Sequence, residues 1–211
     1  MKKGINVKGT LLIFLALFII IIAIDVIFLQ DNSYEGHFLK MDTSVTVKGV
    51  GSDMDLATRD ILNKIDEIDF YMSAHNVKGN LYKLNTEKTA PYHKETAELI
   101  TLAQEVQKRS DNAFCIAVKP VMDIWGFGTE YPAVPKNEAL TAALEEMRNT
   151  EIAINNETIS LNRGKLDLGG IAKGHATDKA REILDSYENI DYAVLDFGGN
   201  ILTYGEKPDG S

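Results

Sequence analysis

One cysteine, one tryptophan and five prolines occur in 211 residues. The lone thiol, Cys115, excludes an internal disulfide and any cysteine-rich zinc site. Four scattered histidines form no HxxxH pair, and CxxC is missing, so no metal signature stands out. Positive charge is scarce as well: 22 Lys and Arg stand against 31 Asp and Glu, for a net charge of −9. Three of the positive charges, Lys2, Lys3 and Lys8, precede the first acid, Asp25. Removing those three from the −9 total leaves −12 on residues 25–211. A surface so acidic argues against nucleic-acid binding. There is no internal repeat and no low-complexity tract. Hydrophobic content of 45% with 25% charged residues describes a globular body rather than a disordered chain.

The long apolar run lies at the start. "GTLLIFLALFIIIIAIDVIFL", residues 9–29, holds one charge, Asp25, near its far end. At ~1.5 Å per residue it reaches roughly 30 Å, the thickness of a bilayer core. Three lysines before it predict a cytoplasmic N-terminus and a body outside the membrane. A cleaved signal peptide is the rival reading, but no small-x-small site follows the run. The expected organisation is a cytoplasmic stub at 1–8, a signal anchor at 9–29, a polar linker at 30–37 and a body at 38–211.

Within the body, "SVTVKGV" (44–50) alternates as a strand does. Residues 53–72 carry apolar residues at helical spacing, with Ser52 or Asp53 as cap. "SAHNVKGN" reads as a loop and "LYKLN" as a short helix or turn. Further helices are predicted over 95–109 and 137–147. Lys119-Pro120 interrupts regular structure. Two short strands flank Asn155-Asn156. "YAVLDFGGNILTYG" reads as strand, glycine turn, strand. Helices and strands mix without a βαβ rhythm, which predicts an α+β fold.

The stretch richest in chemistry is "KLDLGGIAKGHATDKA", residues 165–180. Leu166 and Leu168 flank Asp167 as at a strand end. Gly169 and Gly170 follow as a turn, and residues 171–184 are helix-like, with Ile171, Ala172, Ala176, Ala180 and Ile183 on one face. A glycine turn feeding a helix N-terminus, with Lys173 beside it, suits a phosphate or diphosphate. A plain strand–turn–helix with Asp167 as cap fits the same residues.

Taken in order, "MDTSVTV", "YMSAHNVKGNLYKLN", "SDNAFCIAVKPVMDIWGFG", "LDLGGIAKGHATDKA" and "LDFGGNILTYGEKPDG" resemble the ApbE-type FAD:protein FMN transferases across residues 38–211. The resemblance implies an ApbE-like fold. It implies Mg²⁺-dependent transfer of FMN from FAD to a threonine hydroxyl of a partner protein, with AMP leaving. It also implies that Asp167 and Lys173 contact FAD and that the Gly170 carbonyl is an Mg²⁺ ligand. Met41 matches a methionine packed near the flavin. His75 stands where a tyrosine often stacks on the cofactor. Ala113, Phe114 and Cys115 match an FAD-contacting run that usually reads Ala-Phe-Asp, so Cys115 brings no charge there. Asp42 replaces a glycine, and His175 replaces a common tyrosine and reads as a partly exposed helix residue. Trp125 and Phe127 read as core packing. Gly198, Gly199 and Asn200 read as a turn beside the site.

The family continues past "GEKPDG" to a late aspartate–threonine pair that completes the Mg²⁺ site, and this sequence has no counterpart of that pair. A fragment or a degenerate protein is therefore expected. By analogy the acceptor would be a subunit of an Rnf- or Nqr-like complex or an extracellular electron-transfer protein. An FAD-binding or FAD-hydrolysing module without protein transfer is the alternative. An anchored scaffold that uses the same fold is a third reading.

Overall fold

The computed structural model describes residues 15–20, 32–127 and 129–207. The chain divides into two compact units, Met1–Ser33 and Tyr34–Ser211. In the first, residues 15–20 are helical. The rest of the expected anchor, residues 9–29, lies outside the described residues. Among the described residues no helix is long and apolar enough to cross a membrane.

The second unit holds two antiparallel sheets and six helices among its described residues. The larger sheet has the order β1 (Ser33–Lys40), β2 (Thr43–Val50), β6 (Tyr192–Phe197), β7 (Asn200–Gly205), and the smaller the order β3 (Thr89–Pro91), β5 (Thr158–Leu161), β4 (Ile152–Ile154). Strand β1 (Ser33–Lys40) turns into β2 (Thr43–Val50). Residues 33–37 of the expected linker therefore belong to a strand. Tyr34 and Phe38 pack against the core from β1, and Gly36 makes room for them. A Cβ there would sit 2.7 Å from the Phe38 ring and 3.0 Å from the Tyr34 hydroxyl.

Helix α1 (Met54–Met72) follows, then α2 (Asn80–Glu87) and β3 (Thr89–Pro91). Asp53 occupies the N-cap position of α1 but makes no side-chain cap there. Its carboxylate instead accepts the Asn189 backbone and side-chain N–H groups at 3.3 and 3.1 Å. Helix α3 (Lys94–Arg109) leads through a 3-10 turn (Ile116–Val118) into α4 (Lys119–Trp125). Pro120 thus begins a helix rather than breaking one. In the first turn its missing N–H costs nothing and its φ is already helical. Helix α5 (Asn137–Arg148) precedes β4 (Ile152–Ile154) and β5 (Thr158–Leu161). Asn155 shapes their turn, its Oδ1 accepting the Glu157 and Thr158 N–H groups at 2.8 and 2.7 Å.

Helix α6 (Gly169–Leu184) then crosses back before β6 (Tyr192–Phe197) and β7 (Asn200–Gly205) close the large sheet. The core lies between that sheet and two helices. Val45 and Val47 of β2 and Ala193, Leu195 and Phe197 of β6 point inward, one residue in two. Helix α1 presents Ile61, Ile65 and Ile68 from its buried face. Helix α6 contributes Ala172, Ala176 and Ala180 at four-residue spacing, then Leu184. Small side chains along that face let α1 and α6 lie close together. Each buried isoleucine contributes roughly 1.5–3 kcal/mol through the area it removes from water.

Candidate functional site

Segments far apart in sequence meet around a cavity of about 380 Å³. The β1–β2 turn supplies Met41, Asp42 and Thr43. The C-terminal end of α1 supplies Asp69 and Met72, and the chain just beyond it supplies His75. The approach to α6 supplies Asp167, the first turns of α6 supply Gly169 and Lys173, and the β6–β7 turn supplies Gly198.

The two hairpin turns are tight. Met41 and Asp42 both have positive φ, 49° and 55°, as a two-residue primed turn requires. Asp42 thus takes the left-handed conformation that glycine adopts without a Cβ penalty. Gly198 has φ 62°, and a Cβ on it would fall 2.1 Å from Thr43 Oγ1. Glycine is needed there so that one turn can rest on the other.

Helix α6 starts two residues earlier than its apolar pattern suggests. Gly169 and Gly170 lie in its first turn, and residues 165–168 form no strand. Asp167 Oδ1 accepts the Gly169 N–H at 2.8 Å, while the Asp167 N–H donates to the Ile116 carbonyl at 2.8 Å. The Gly169 N–H is thus taken, and the Ile171 and Ala172 N–H groups donate to the Leu168 carbonyl at 2.9 and 2.8 Å, so α6 offers the positive end of its dipole rather than a row of free donors. Lys173, half-buried, adds a full charge and has no ion-pair partner among the described residues. The opposite wall carries the other sign. It is the C-terminal end of α1, with Asp69. Burial, and then the charges of Asp42 and Asp66, hold the Asp69 carboxyl above the usual carboxylate range, against the pull of Lys40. The cavity thus has one wall suited to an anion and one suited to hydrogen-bond donors.

Of the residues singled out in the sequence, Met41, His75, Asp167 and Lys173 line this one cavity. Phe114 and Gly170 do not line it: Gly170 is exposed, and a Cβ on it would lie 3.4 Å from the Phe114 ring. Ala113 is exposed. Cys115 lines a different and larger cavity of about 550 Å³, with Gln107, Met147 and Arg148. Trp125 and Phe127 stack with ring centroids 6.2 Å apart, and Phe127 is 61% exposed, so it is not core packing. His175 is partly exposed, as expected of a helix residue, and is ion-paired. Its side chain is 13% exposed, and Nε2 lies 2.7 Å from Glu95 Oε1. Asp69 escaped the sequence reading, because one more acid on an amphipathic helix carries no signal of what faces it.

The ApbE family model matches residues 41–211. The chain belongs to the ApbE family. The FAD:protein FMN transferase of Klebsiella pneumoniae (strain 342) is 27% identical over 188 residues, which cover 84% of this chain and 58% of that protein. The FAD:protein FMN transferase of Treponema pallidum (strain Nichols) is 27% identical over 172 residues, 76% of this chain and 47% of that protein. The ApbE chain thus spans about half the length of these curated relatives. Among solved structures, the apo form of Pseudomonas stutzeri flavinyl transferase ApbE superposes with a TM-score of 0.76 at 23% identity, covering 86% of this chain and 64% of that one. The ApbE protein of Thermotoga maritima gives a TM-score of 0.76 at 28% identity, covering 85% and 60%. The mixed α and β architecture is therefore that of ApbE proteins.

Proposed function

We propose that this chain binds FAD in the Met41–Asp167–Lys173 cavity and moves its FMN half onto a threonine hydroxyl of an acceptor protein, releasing AMP. The observation that carries the reading is the convergence of Met41, His75, Asp167 and Lys173 on one cavity at the α6 N-terminus. In the reaction the acceptor oxygen attacks the phosphorus of the FMN half. The bond from that phosphorus to the bridging oxygen breaks, AMP departs with the electron pair, and the hydroxyl proton passes to solvent water. Charge neutralisation and positioning dominate such a transfer. Lys173 and the positive end of the α6 dipole attract the diphosphate. Met41 and His75 pack on the flavin end. The acidic wall keeps the diphosphate away from that end.

Oxygen donors fit a hard cation in kind: the Asp167 carboxylate, and the Gly170 carbonyl to which the resemblance gives the Mg²⁺. They do not make a full protein cage. Among the described residues no group of three or more His, Cys, Asp or Glu could hold a metal. Magnesium commonly keeps water and substrate phosphate oxygens as ligands. When bound it would offset diphosphate charge and polarise the attacked phosphorus.

The apolar run at 9–29 after three lysines supports a single-pass anchor with the body outside the cytoplasmic membrane. An acceptor in an Rnf- or Nqr-like complex, or an extracellular electron-transfer protein, agrees with that placement.

Incubation of the chain with FAD, Mg²⁺ and a threonine-bearing acceptor tests the reading. Covalent flavin on the acceptor with matching AMP is the expected result. Free FMN and AMP without labelled acceptor would favour the hydrolytic alternative. Intact FAD would contradict both.

A further inference from the structure

Residues 165–168 run up to α6 outside any strand, yet both backbone polar groups of Leu166 and the Asp167 N–H have fixed partners. Leu166 is fully buried, so water cannot satisfy its N–H and C=O. Asn85, 5% exposed near the end of α2, does so instead. Its Oδ1 accepts the Leu166 N–H at 2.7 Å and its Nδ2 donates to the Leu166 carbonyl at 2.8 Å. One donor and one acceptor offered to a single residue is what a paired strand would supply. An amide side chain is suited to it, carrying both groups on one planar head.

The neighbours complete the clamp. Lys88, which ends α2 in the left-handed conformation, directs its Nζ to the Gly164 carbonyl and, at 2.8 Å, to the Asn85 carbonyl. The Leu161 N–H donates to the Lys88 carbonyl at 2.8 Å. Asp167 is next in line, with its N–H on Ile116. Asn85 does not line the cavity that Asp167 lines.

We propose that Asn85 is a positioning residue for Asp167. It reaches a ligand only through the Leu166 backbone, and it fixes where the Asp167 carboxylate faces the cavity. The inference rests on the reading that Asp167 contacts FAD.

A double-mutant cycle on the full chain tests it, with FAD affinity read by flavin fluorescence and amide hydrogen exchange read over residues 161–172. Asn85→Ser should keep native circular dichroism and weaken FAD binding at least tenfold. In an Asp167→Ala background the same change should alter affinity less than twofold, because the group it positions is gone. A merely structural role would give the same loss in both backgrounds, and that result overturns the proposal. Where Asn85→Ser does not fold, Asn85→Thr runs the same cycle. The exchange arm needs no ligand. The Leu166 and Asp167 amides should exchange faster in the variant while those of α1 keep their protection. Unchanged exchange at Leu166 would also overturn the proposal. If the unaltered chain does not bind FAD, the proposed function fails, and the exchange arm alone still decides whether Asn85 holds Leu166.

Discussion

Glu95 on α3 and His175 on α6 meet at 2.7 Å, both side chains only 13% exposed. The other Glu95 oxygen lies 2.7 Å from Lys64 Nζ on α1, so one carboxylate joins three helices. Burial alone would raise its pKa. The hydrogen bonds and charges of Lys64 and His175 outweigh that and hold the Glu95 carboxyl below its usual range.

Glu95→Gln should therefore destabilise the fold at neutral pH, by about 1–3 kcal/mol for hydrogen bonds to a charged group. An acid whose pKa is lowered by folding contributes stability above its unfolded pKa and loses it as pH falls through the folded value. The gap between the variant and the unaltered chain should close in acid. Urea melts from pH 7 down to pH 3 measure it, and a pH-independent gap would refute the assignment.

Asp69 should behave oppositely. Its carboxyl is held above the usual range by burial and by Asp42 and Asp66. Stability from that group is present below the unfolded pKa and is lost as pH rises through the folded one. Asp69→Asn should raise the melting temperature at pH 7 and have little effect near pH 3. A loss of stability at pH 7 would show that Asp69 makes a favourable contact.

Asp42→Gly should stabilise the first hairpin. Asp42 sits at φ 55°, where glycine avoids the Cβ penalty of the left-handed region. The greater freedom of glycine in the unfolded chain offsets part of the gain. A net rise of about 0.5–1 kcal/mol is expected, read by denaturant midpoint. A fall would mean that the Asp42 side chain is an anchor.

Much of this architecture is written locally. Helices α1, α3 and α5 show apolar residues at helical spacing, and the Asn155 and Gly198-Gly199 turns carry their own conformational signal. Strand β1 is hidden because Gly36 gives its inward side no side chain and Leu39, 80% exposed, puts an apolar one on its outward side, and Gly36 is explained only by the two rings packed over it. Pro120 looked like a break because a proline at a helix start and one in a loop read alike in sequence. Of the candidate site, Asp167, Lys173, Met41 and His75 were legible through the order of several motifs. The Asn85–Leu166 clamp and the Glu95–His175 contact were not. Each joins residues 80 or 81 positions apart, and neither side chain announces its partner.

Asp167, half-buried, lines the cavity just before α6 begins, whereas Asp178 is exposed within that helix. The deciding measurement is an FAD titration with Mg²⁺ on the unaltered chain, Asp167→Ala and Asp178→Ala, each with native circular dichroism. Saturable FAD binding is expected, which Asp178→Ala changes less than twofold and Asp167→Ala weakens at least tenfold, about 1.4 kcal/mol or more. Equal affinities in the two variants, or no FAD binding by the unaltered chain, would contradict the FAD-site assignment.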